Sequence, residues 1–120
     1  MTEILNTAYG KTVETTMDAE ETMAALTKIA EAGLLTKPLR LRCKETGEDT
    51  WGHCDTDFDE DGEALGHDII ISVLNDGLLA HEIAHALVNE TLTYDELKVL
   101  NPHGSVFCEA LTIVVKTLEG

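Results

Sequence analysis

His81-Glu82-Ile83-Ala84-His85 places two imidazoles four residues apart with a carboxylate directly after the first. On an α-helix, residues i and i+4 lie on one face, one above the other. Two imidazoles so placed can share one metal ion. Glu82 can hold a metal-bound water without ligating the metal itself. Two His ligands, an open coordination position and a general base beside it are the parts of a zinc hydrolase site. So short a pattern also arises by chance on surface helices, but its setting argues otherwise. Leu78-Leu79-Ala80 precedes it and Ala86-Leu87-Val88 follows it. A polar face inside so apolar a helix is costly unless its groups have partners.

Catalytic zinc usually takes three protein ligands and a water. The donors downstream are Glu90, Glu96, His103 and Glu109. Glu90 is five residues past His85 on the same helix and so faces away from the His pair. Glu96 is used in capping. His103 stands in a loop before the last helix, from which a side chain can point back across a gap. His103 is therefore favoured as third ligand, with Glu109 as the alternative. The expected cofactor is Zn2+.

The elements that must position these groups are legible in outline. Asp18-Ala19-Glu20-Glu21 reads as a capping box opening a helix over about 19–32. Met23, Leu26, Ile29 and Ala30 fall at helical spacing, and Gly33 stops the helix. Leu39-Arg40-Leu41-Arg42-Cys43 alternates as a half-buried strand, and Thr50–Cys54 reads as a second strand joined to it in a hairpin through the turn at 45–49. Residues 55–66 read as an acidic loop, and 67–73 as a third strand rich in β-branched residues. The metal-motif helix follows, capped by Asn75 or Asp76. Thr93-Tyr94-Asp95-Glu96 opens a short helix to about Leu100, and Ser105 caps a largely buried final helix running to Leu118. The order α-β-β-β-α-α-α predicts an α+β fold: a small, largely antiparallel three-stranded sheet with helices packed on it.

Leu79–Leu87 and Asn101-Pro102-His103-Gly104-Ser105-Val106-Phe107 resemble the SprT-like (Spartan-related) and small phage-encoded zinc metallopeptidases of the zincin class. In that family an HExxH helix is followed by a His-Gly-x-x-Phe/Trp stretch whose His is the third ligand. Trp51-Gly52-His53-Cys54-Asp55 is weaker support, and the likeness covers about residues 39–115. It implies a minimal zincin fold, zinc on His81, His85 and His103, and Glu82 as base in peptide hydrolysis. It also implies a peptide substrate lying along an edge strand, from the hairpin or from residues 67–73. Tyr94 and His67 are candidates for the oxyanion donor. Two other classes remain open. One is a non-catalytic structural or interaction protein, such as a virion component, that keeps the fold and the metal. The other is a hydrolase of amides outside proteins.

At 120 residues, 43% of them hydrophobic, the chain is expected to form one domain, with residues 1–16 as a loose lead-in. It has no run of about 18 apolar residues, which predicts no membrane span. The first 16 residues lack the basic and apolar regions of a secretory signal, so the expected location is the cytoplasm or a virion packaged from it. The net charge is −15, with 23 acidic residues against eight basic ones, which argues against direct nucleic-acid binding. Arg40, Arg42 and Lys44 read as a solvated strand face. Asp57-Phe58-Asp59-Glu60-Asp61-Gly62, with Asp68, approaches a calcium-loop pattern but lacks its final Glu and flanking helices, so a solvated acidic turn is favoured. Cys43, Cys54 and Cys108, with His53, fit no common structural-zinc spacing and read as small apolar residues.

Overall fold

The computed structural model describes residues 15–44 and 51–120. Most of the expected lead-in, the turn over 45–49 and Thr50 lie outside the described residues. Helix α1 spans Ala19–Glu31. The Asp18 carboxylate accepts the Glu21 N–H at 2.7 Å, while the Glu21 carboxylate accepts the Asp18 N–H at 3.1 Å. The capping box is thus complete at both ends. Gly33, at φ 71°, ends the helix. Its N–H bonds the Ala30 carbonyl and the Leu34 N–H reaches back to the Ile29 carbonyl, closing the orphan carbonyls of the last turn.

Three strands follow: β1 (Leu39–Cys43), β2 (Gly52–Phe58) and β3 (Ala64–Ile71). Their order is β1-β3-β2, with β1 parallel and β2 antiparallel to β3. The expected β1–β2 hairpin and largely antiparallel sheet are therefore corrected to a mixed sheet whose hairpin joins β2 and β3. Strand β3 holds Ile69, Ile70 and Ile71, exposed by only 0%, 6% and 0%. The most apolar strand gains most from neighbours on both sides, so it takes the centre. As the central strand it is no free edge, which removes 67–73 as a place for an added strand. The supposed acidic loop is mostly strand. Asp55 and Asp57 are exposed, while Cys54, Thr56 and Phe58 between them turn inward. Acidic composition masked a period of two. The turn itself is short: the Asp59 N–H bonds the Glu63 carbonyl at 2.9 Å, and Gly62 supplies a positive φ of 81°.

Helix α2 spans Asp76–Thr91, with the Asn75 side chain accepting the Leu78 N–H at 3.1 Å. Its start is tied down from far along the chain. The Thr16 and Met17 N–H groups both donate to the Leu74 carbonyl, and the Asp76 N–H donates to the Thr16 hydroxyl at 2.9 Å. Leu79, Ile83, Ala84 and Ala86 are fully buried, in one core with Ile69 and Ile71 of β3. Short helix α3 (Tyr94–Lys98) has the expected Thr93–Glu96 capping box. Helix α4 runs Ser105–Glu119 and adds Phe107, Ala110 and Val114 to the core. Two expectations fail here. Ser105 is the first helical residue rather than the cap; Gly104 holds that position without a side-chain bond. And α4 is amphipathic rather than largely buried, since Val106 and Ile113 stay 38% and 47% exposed. With sheet and α2 on one side only, one stripe of α4 suffices to close the core. The result is an α+β arrangement of four helices and a three-stranded mixed sheet among the described residues. No described helix is long and apolar enough to cross a membrane.

A buried polar network locks α2 to the sheet. His67, on β3, has a side chain with no exposure and sits between two partners. Its Nδ1 lies 2.9 Å from the Thr56 hydroxyl and its Nε2 lies 2.9 Å from Glu90 Oε1. The Glu90 carboxylate also accepts the Thr36 N–H at 2.6 Å, the Thr36 hydroxyl at 2.8 Å and the Lys37 N–H at 3.0 Å. Asn89 donates to the Thr56 hydroxyl at 2.9 Å. On the opposite sheet face, Arg42 pairs with Asp68 at 2.6 Å, so the basic strand face is partly neutralised from within.

Candidate metal centre

Helix α2 presents His81 and His85 one turn apart on the side facing α4, and the α3–α4 turn brings His103 to meet them. The turn is short and specific. Asn101 Oδ1 accepts the His103 N–H at 3.1 Å, and the Asn101 carbonyl accepts the Gly104 N–H at 3.0 Å. A Cβ at position 104 would meet Asn101 Cβ at 3.2 Å and the Asn101 carbonyl at 3.3 Å, so glycine lets this turn stay tight.

The three Nε2 atoms form a nearly equilateral triangle. His85 lies 3.2 Å from His81 and 3.2 Å from His103, and His103 lies 3.3 Å from His81. Tetrahedral zinc with bonds of about 2.0–2.1 Å to nitrogen asks for nitrogens roughly 3.3–3.4 Å apart. The donor set therefore fits a small divalent ion on the geometry of the nitrogens and on their chemistry. These three histidines are close enough to hold a metal ion. His81 and His85 are half-buried and His103 is exposed, so the cluster opens to solvent on one side.

Electrostatics favours the ligating form. Burial, and then the neighbouring imidazoles His81 and His103, pull His85 down to about 4. Burial, followed by His103, also lowers His81. Both rings are neutral at pH 7 and offer lone pairs without first losing a proton. Glu82 is only 4% exposed, and burial pushes its carboxyl up to about 7. A carboxyl at that value can both take and return a proton near neutrality.

Phe107 was legible only as one letter of the His103 stretch, and its place at the site was not. Its ring centroid lies 4.9 Å from that of His81, 4.4 Å from His85 and 5.1 Å from His103. It is 5% exposed, so it forms a fixed apolar floor under all three rings. In sequence, a Phe at helical spacing is indistinguishable from ordinary core.

The remaining candidates lie elsewhere. Glu109 is exposed on α4 and outside the cluster; Glu96 caps α3 and Glu90 serves the His67 network. His67 has both ring nitrogens engaged, which removes it as an oxyanion donor. Tyr94 stacks on Phe58 at 5.3 Å beside the acidic turn, with Lys98 above its ring. Asp68, on β3, is committed to Arg42 of β1 rather than to the acidic turn, where Asp59 instead accepts the Asp61 and Glu63 N–H groups. Burial above all, with a contribution from the Glu82 carboxylate, pushes the Cys54 thiol up to about 12. A thiol so held is a core residue rather than a ligand. His53 points to the other sheet face, near Asp55, and Cys43 and Cys108 are exposed.

Fold and site together define an α+β domain that carries a three-imidazole candidate metal centre. No protein-family model matches the chain, and no curated protein or solved structure is significantly similar to it. The likeness to SprT-like peptidases accordingly rests on the residues quoted for it.

Proposed function

We propose that the protein is a small zinc-dependent metalloendopeptidase of minimal zincin-like architecture, with His81, His85 and His103 as ligands and Glu82 as general base. The observation that carries this reading is the convergence of three Nε2 atoms within 3.3 Å of one another, with the buried Glu82 next to His81 in the sequence. When bound, zinc supplies Lewis acidity, which acidifies water and polarises a carbonyl. The protein's own groups do the rest. His81, His85 and His103 bind through their Nε2 atoms above the Phe107 floor. Glu82 accepts the proton of the attacking water and delivers it to the departing amine as the C–N bond breaks. A site that only held metal for structure would have no use for a buried acid, and burying one is costly.

Both sheet edges reach the shared core, but β2 is the edge strand that packs on α2, and its Thr56 hydroxyl accepts a hydrogen bond from Asn89. An extended peptide pairing with β2 is the substrate arrangement we favour. The experiment is the isosteric Glu82→Gln variant, loaded with zinc and assayed on unfolded protein substrates. Zinc content should be unchanged and hydrolysis should fall by about 10²–10⁴-fold, the usual worth of a general base. Equal hydrolysis by both proteins would remove Glu82 as the base, and none by the zinc-loaded wild type would leave the non-catalytic interaction protein as the answer.

A further inference from the structure

Beside the candidate metal centre, the C-terminal half of α2 and the α3–α4 segment line a cavity of about 140 Å³ that opens to solvent. His85 and Phe107 form the wall it shares with the three-imidazole cluster; Val88, Leu97, Leu100 and Val106 form most of the rest. None of these four aliphatic side chains is fully buried, and Val106 is 38% exposed. Two of its polar atoms are engaged: Asn89 Nδ2 donates to Thr56, and Asn101 Oδ1 accepts the His103 N–H. With Phe107 and Pro102 beside the four aliphatic side chains, most of what the cavity offers a guest is apolar contact. Its size decides the guest, because a dry cavity of roughly 150 Å³ lined by similar side chains admits a benzene.

We infer that this cavity is a specificity subsite that receives one apolar side chain, of Leu, Met or Phe size, from the peptide held at the metal centre. The inference rests on the peptidase reading and adds to it the substrate's chemical class. Continuity is the reason for choosing a substrate side chain as occupant. A residue lodged against His85 and Phe107 lies against one of the metal ligands, so its backbone passes close to the reacting position. A charged side chain would lose hydration there against a lining that holds no carboxylate, lysine or arginine to pair with it. Alanine would leave most of the volume empty and forgo the contact.

The test has two readouts. The zinc-loaded full chain is given a mixed peptide library, and cut sites are identified by mass spectrometry. Leu, Met and Phe should be enriched at one fixed position beside the cut bond, with kcat/KM roughly tenfold or more above Ala there, the range expected for filling an apolar pocket. Leu100→Trp, which fills the cavity from the loop side, should bring kcat/KM for the Leu peptide down to that for the Ala peptide, with zinc content retained. Cleavage with no such preference, or a preference that survives Leu100→Trp, overturns the subsite and leaves the peptidase reading standing. The second readout needs no catalysis and no variant. Titrating the wild-type zinc protein with N-acetyl-leucinamide should shift the methyl resonances of Leu97, Leu100 and Val106, and N-acetyl-aspartamide should not. Those shifts without any peptide hydrolysis would sustain the cavity's ligand class and sink the peptidase. Absent shifts overturn the inference, as do methyl shifts produced by raising protein concentration alone, which would assign the cavity to a second copy of the chain.

Discussion

Phe107 and His103 act on the same three nitrogens in different ways, and their variants should separate. His103 is a proposed ligand, reached only through the Asn101–Gly104 turn. Phe107 touches every ring of the cluster and donates nothing to a metal. Loss of an outer-shell partner typically weakens metal binding by about 10–100-fold. Phe107→Leu, which keeps the core filled, should fall in that range and alter the visible spectrum of the cobalt-substituted protein. His103→Ala should weaken zinc by more than that, measured by competition with a chromophoric chelator. Zinc retained at wild-type affinity in His103→Ala would remove the third ligand. At this scale the i, i+4 pair was plain from spacing. The role of Phe107 was not, because its partners include residues 26 and 22 positions away in sequence, at His81 and His85.

At the scale of elements, the His67–Glu90 network decides how rigidly α2 carries its ligands. Burial would raise the Glu90 carboxyl, but the hydrogen bonds from His67, Thr36 and Lys37 outweigh it and hold the group below the ordinary carboxylate range. A carboxyl depressed in the folded state stabilises it above the unfolded pKa, and that contribution is lost as pH falls through the folded value. Glu90→Gln should therefore cost about 1–3 kcal/mol at pH 7, the range for orphaning buried donors. The gap between wild type and variant should narrow in acid, as followed by urea denaturation at several pH values. A gap independent of pH would show that the charge of Glu90 contributes nothing. Glu90 was correctly set aside as a ligand from its helical phase alone. Its real partners were hidden because Thr36 and His67 lie 54 and 23 residues away.

For the molecule as a whole, the small aliphatic core and the charge of −15 would leave a metal bound at the three histidines a large part in stability. Self-repulsion of so acidic a chain opposes the compact state, and a divalent cation joining α2 to the α3–α4 turn would oppose unfolding. Ligand that binds only the folded state at a thousandfold above its Kd adds about 4 kcal/mol. Removing zinc with EDTA should lower Tm by on the order of 10 °C or more, and added zinc should restore it. A Tm indifferent to EDTA and to zinc would argue against a resident metal at these histidines.

What sequence alone determined is what short-range physics decides. The Asp18–Glu21 and Thr93–Glu96 capping boxes, the Gly33 stop, the bounds of β1 and the facing of His81 with His85 each depend on residues a few positions apart. Only the tertiary structure decided that β3 lies between β1 and β2, that the acidic segment is mostly strand, shared between β2 and β3, that Phe107 underlies the three imidazoles and that a side-chain-sized cavity opens beside His85. Those outcomes depend on which apolar faces compete for one small core, and that competition joins groups too distant in the chain for local pattern to record.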